Sequence, residues 1–187
     1  MINKNHLYMI FKMSSLTLLF FCLCAFQTST WPLIFGSFPT PHIWLTLVVF
    51  LIIRWPLYTG IFFTYFLGFI LIFFTNAPLK MIWISLNLLY ILIWTLKNRI
   101  NSSGLISFAT LSAFSSFLFS SIYIIISYVL EANPTHIFFL HRLTECGLTF
   151  IFSIPLYFVY SFIEDIFSNT QKWNNASAHT SSMDEYS

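Results

Sequence analysis

Between Met13 and Phe162 the chain is broken into six apolar stretches, and of its charged residues only Glu145 falls inside one of them. A water-soluble domain cannot be built from such a pattern. Ordinary domains carry roughly 25% charged residues to cover their surface, and this chain of 187 residues carries 7%. The solvent for its side chains is therefore lipid. In lipid every backbone N–H and C=O must be satisfied within its own segment, so apolar stretches of this length fold as helices. The expected fold class is an all-α integral membrane protein, a polytopic bundle of about six short transmembrane helices.

The stretches are residues 13–26, 40–53, 57–74, 81–96, 105–130 and 143–162. The first reads as a retained helix rather than a signal peptide, because no convincing small-x-small cleavage site follows it and further spans do. It extends through Trp31 and Phe35 if the uncharged Gln27-Thr28-Ser29-Thr30 segment stays in the membrane. The second and third stretches are too close together for two full spans of about 20 residues and a turn, so short or tilted helices are expected. Thr40-Pro41 reads as a helix start with Thr as N-cap, and Arg54-Trp55-Pro56 as a stop. Within the last stretch, Pro155 lacks a backbone donor, so a bend near Ile151 to Pro155 is expected, with Ser153 or a neighbouring helix satisfying the freed carbonyl.

Orientation follows from Lys and Arg near span ends. With the N-terminus inside, the cytoplasmic segments hold Lys4, Lys12, Arg54, Lys97, Arg99 and Lys172, and the opposite side only Lys80 and Arg142. This predicts N-in, C-in topology. Residues 1–167 form one transmembrane domain. Residues 168–187, rich in Ser, Asn and Thr, have the composition of a disordered cytoplasmic tail. No basic run suits a nucleic-acid backbone, and Cys22, Cys24 and Cys146 read as small apolar residues rather than a disulfide or metal set.

Chemistry inside a membrane usually requires buried acids, bases or metal ligands. Here the polar constellation is His136, His141, Arg142 and Glu145, with His141, Arg142 and Glu145 on one helical face. An interfacial ion pair explains it more simply than a ligand clamp. There is no G-x-S-x-G elbow, no phosphate-binding Gly-rich loop and no second cluster to complete a metal site. The expectation is no enzyme, no catalytic residues, no cofactor and no metal. Along residues 105–130, Ala109, Ala113, Ser116, Ser120 and Ser127 line up as a stripe of small residues, with Leu111, Leu118, Ile122 and Ile125 opposite. Such stripes let helices approach closely. Packing against the chain's own helices or against a partner are both open.

The run Gly68-Phe-Ile-Leu-Ile-Phe-Phe-Thr-Asn-Ala-Pro-Leu-Lys80 resembles a segment of the bacterial rod shape-determining protein MreD family, with Gly68, Thr75, Pro78 and Leu79 at the matching positions. Pro41 to Pro56 resembles the family's entry into its second span, and Leu143-Thr144 with Pro155 its last helix. Ile72 stands where the family often has Asp, and Lys80 where it has Gly. The resemblance implies a non-enzymatic scaffold of the cell-elongation machinery in the bacterial inner membrane. Its implied partners are an MreC-like bitopic protein, MreB, RodA and a penicillin-binding protein, and its task is helping to position peptidoglycan synthesis. The alternative function is a substrate-binding membrane subunit of an energy-coupling-factor transporter, taking a small vitamin-like solute. That reading needs an enclosed polar pocket, with His136, His141, Arg142, Glu145, Asn76 and Lys80 as the candidates.

Overall fold

A computed structural model describes the backbone of residues 4–75, 77–97, 104–131 and 139–184, and the side chains within those bounds from residue 9 to 167. Every regular element among the described residues is helical: α1 (Lys4–Ala25), a π-helical turn (Phe26–Thr30), α2 (Trp31–Phe35), α3 (Ile43–Arg54), α4 (Leu57–Leu71), a 3₁₀ turn (Ile72–Phe74), α5 (Leu79–Lys97), α6 (Leu105–Leu130) and α7 (Phe139–Asp184). The chain is an all-α polytopic membrane bundle. Among the described residues five helical segments are long and apolar enough to cross a bilayer: Met9–Phe35, Leu57–Phe74, Leu79–Lys97, Leu105–Leu130 and Phe139–Phe167.

The first span does continue to Phe35. Gln27, Thr28, Ser29 and Thr30 form the π-helical turn that joins α1 to α2, and Thr28 returns its hydroxyl to the Cys24 carbonyl at 2.9 Å. Gly36 then reverses the chain with a φ of 59°, a region that glycine enters without steric cost. Trp31 pins the loop by donating to the Phe38 carbonyl at 3.4 Å and by packing its ring on Phe152 of α7.

The central element is α3. At 12 residues it is about 18 Å long, well short of a roughly 30 Å hydrocarbon core. Ile43 through Ile52 are all buried, enclosed by α1, α4, α5, α6 and α7. Its start lies at Thr149, near the beginning of α7, and its end at Glu164. Helix α3 is thus a shorter apolar helix that runs inside the five candidate spans. Lys12, Arg54, Lys97 and Glu164 meet at one end of the bundle, which we call the Arg54 end. His42, Arg142 and Glu145 gather at the other, the His42 end.

One expectation is revised. Helix α3 begins at Ile43 rather than at Thr40-Pro41, because the His42 backbone N–H donates to the Thr149 hydroxyl of α7 at 3.0 Å and so leaves the helix. Helix α7 runs from Phe139 to Asp184. No glycine or proline after Pro155 interrupts that run. Helix continues across Pro155 as well; Ser153 donates to the Phe150 carbonyl at 2.6 Å rather than to the Ile151 carbonyl that Pro155 cannot serve. The Arg54-Trp55-Pro56 stop operates as read: Trp55 is extended and α4 starts immediately after Pro56.

Candidate functional site

Small residues on α6 close one flank of the bundle. Ala109, Ser116, Ser120 and Ser127 are buried within the chain, and Ala113 is half-buried. Their helix shares its largest interface with α7. The stripe is therefore an internal seam. Of the bulky residues opposite, Ile125 is exposed but Leu111 is buried, because α5 and α3 also pack on α6.

A second seam was not read from the sequence. Gly60, Thr64 and Gly68 of α4 are buried one turn apart, and a Cβ on Gly60 would lie 2.1 Å from the Tyr90 hydroxyl of α5. One on Gly68 would lie 2.9 Å from Leu86 and 3.1 Å from Trp83. The signal was present as a four-residue spacing of small residues, but Thr64 in the middle disguises it. Gly68 thus serves helix packing. Thr75 ends the 3₁₀ turn, donating its N–H to Ile72 at 3.3 Å. The carbonyl of Pro78 accepts from Met81 and Ile82 as α5 begins, with Leu79 as its first residue. Asn76 lies outside the described residues.

At the Arg54 end charges are consumed in holding α3. Glu164 receives Lys12 at 3.8 Å and Arg54 at 3.5 Å, and Lys97 donates to the Ile52 carbonyl at 2.9 Å, satisfying an open acceptor of the α3 terminus. Lys12 also lies over the Trp55 ring at 5.3 Å. Inside the bundle, Thr46 and Tyr160 share a hydrogen bond of 2.7 Å between α3 and α7.

The His42 end is built differently. Glu145 is buried, bonded by Arg142 at 2.9 Å and approached by His141 at 3.6 Å. His136 lies outside the described residues, and Lys80 is exposed at the edge of the bundle. The residue that sequence reading missed is His42, which joins this cluster from the loop before α3 and stacks on Trp44. Burial holds its imidazole below its ordinary pKa. The Glu145 charge opposes that shift, the Arg142 charge adds to it, and the Thr40 backbone opposes it. His42, Phe119, Ser120, Tyr123 and Arg142 line a cavity of about 180 Å³. A neighbouring cavity of about 240 Å³, lined by Phe117, Ser120, Ser121, Ile124, Ile125, Phe139 and Arg142, shares Ser120 and Arg142 with it.

On the opposite flank, α1 and α4 touch sparingly. Between them runs a groove of about 540 Å³ lined by Ile10, Met13, Ser14, Thr17, Leu18, Phe21, Phe62, Phe63 and Phe66. Phe21 packs on Phe74 and Phe63 on Trp55, so aromatic rings line the groove from both helices.

Among the described residues no three His, Cys, Asp or Glu side chains come together as a metal-binding group. Cys24 is buried, Cys146 half-buried and Cys22 exposed, all as free thiols. No family model matches the chain, and neither the curated proteins nor the solved structures contain a significant match to it.

Proposed function

We propose that this chain is a non-enzymatic scaffold of the MreD type, a multi-pass protein of the bacterial inner membrane. It gathers partners of the cell-elongation machinery by helix–helix contact and so helps position peptidoglycan synthesis. The observation that carries the reading is the α1–α4 groove. It is walled by two helices, open on the lipid side and lined by apolar side chains with Ser14 and Thr17 among them. That is a seat for one added helix, and an MreC-like bitopic protein brings a single one. In lipid such docking rests on close packing and interhelical hydrogen bonds rather than on hydrophobic exclusion, and an exposed serine in an apolar groove supplies both. The charged residues support the same reading, since Lys12, Arg54, Lys97 and Glu164 are engaged in tying helices together.

Ser14→Trp fills the groove from an exposed position. The expected result is normal abundance and membrane insertion with loss of the co-purified MreC-like protein and rounding of rod-shaped cells. Unchanged co-purification overturns the reading.

One observation favours the transporter-subunit alternative, namely the cavity at His42, Ser120, Tyr123 and Arg142. It shares Arg142 and Ser120, however, with an apolar neighbour, an arrangement that suits a different ligand.

A further inference from the structure

The two cavities at the His42 end differ in chemistry and meet at one guanidinium. The first presents an imidazole, two hydroxyl-bearing side chains and Arg142. The second is walled by Phe117, Ile124, Ile125 and Phe139, with the two serines at its edge. Together they fall within the roughly 300–1,000 Å³ of small-molecule sites. A wholly polar solute would leave the second empty, and an alkyl chain alone would leave the polar groups of the first without partners.

Arg142 is suited to the junction. It is the fourth residue of α7, so it lies near a bundle end where headgroups sit. One edge of its guanidinium is occupied by Glu145 at 2.9 Å. An arginine fork carries five N–H donors in a plane, so donors remain for a second oxyanion, and the Glu145 bond fixes their direction. The buried Nδ1 of His42 has no hydrogen-bond partner among the described residues. Glu145 itself does not line either cavity, so Arg142 is the charged group that a ligand would meet.

We propose that this pair of cavities binds one phosphate-headed membrane amphiphile, with the phosphate at Arg142, His42, Ser120 and Tyr123 and one acyl chain along the trough between α6 and the start of α7. The site is separate from the α1–α4 groove, so it stands or falls independently of the scaffold reading.

The test uses the full chain purified in a non-ionic detergent. It is titrated with phosphatidylglycerol, with diacylglycerol of the same chains, and with soluble glycerol phosphate. Retained ligand per chain is read by native mass spectrometry, and the thermal midpoint is followed in parallel. The expected result is one phosphatidylglycerol retained per chain with a raised midpoint, and neither effect from the other two. Arg142→Lys keeps a cation for Glu145 but removes the fork, and should weaken retention by about tenfold, the order expected for one charge-assisted hydrogen bond. Phe139→Ala, at an exposed wall of the trough, should weaken the phospholipid without altering folding. Equal retention of diacylglycerol overturns the headgroup assignment, and equal binding of glycerol phosphate overturns the tail assignment. Absence of retained phospholipid, or retention indifferent to both variants, overturns the proposal.

Discussion

The two flanks of the bundle are both apolar, yet one is closed and the other open. Between α6 and α7, Ala109, Ser116, Ser120 and Ser127 of α6 are buried beside Phe108, which packs on Tyr157 and Tyr160, and the two helices share the largest interface among the described residues. Between α1 and α4 the facing residues include Phe21, Phe62, Phe63 and Phe66, and a groove of about 540 Å³ remains. In water both would collapse to hide apolar surface. In lipid that force is absent, so side-chain size decides which helices meet and which leave room for another.

The largest effect should come from enlarging a residue on the closed flank. Ser116 is fully buried, and Ser116→Leu inserts volume where α6 meets its neighbours. Overpacking of this kind costs about 1–3 kcal/mol, so the yield of folded protein and its thermal midpoint in detergent should drop sharply. A normal midpoint would mean that the seam is not tight.

The α4–α5 seam gives a finer test. Gly60→Ala brings a methyl to 2.1 Å from the Tyr90 hydroxyl, and a loss of about 1–3 kcal/mol is expected. Tyr90→Phe removes that oxygen and should return part of the loss, so the double-mutant cycle should show clear coupling. Additive effects would contradict the contact.

A smaller effect concerns pH at the His42 end. Burial depresses the folded-state pKa of His42, with Glu145, Arg142 and Thr40 as the modulating neighbours. The unfolded chain then binds more protons as pH falls through the ordinary histidine value of about 6.5, so stability is present above that value and declines below it. Between pH 7.5 and 5.5 the midpoint should fall more for the natural chain than for His42→Phe. Identical slopes would show that His42 does not titrate with unfolding.

Much of this architecture is legible in the sequence. The six stretches, the stop at Arg54-Trp55-Pro56 and the continuation of the first span to Phe35 follow from apolar run length and proline chemistry. The register between helices is not. Glu164, far from Lys12 and Arg54 in sequence, becomes their shared partner only once α1, α3 and α7 are assembled. His42 likewise reads as a loop residue until α7 brings Thr149, Glu145 and Arg142 beside it. The stripe on α6 could be seen, but whether it faced inward depended on α5 and α7 flanking it.

The contrast between the flanks is tested most directly by photo-crosslinking in living cells. A photoreactive residue is placed at Phe66 in the groove, and in a second variant at Ile106, an exposed position on α6. The account predicts a discrete adduct with the MreC-like bitopic protein from position 66 and none from position 106. Equal adducts from both positions, or adducts from 106 alone, would contradict the assignment of the open flank as the docking surface.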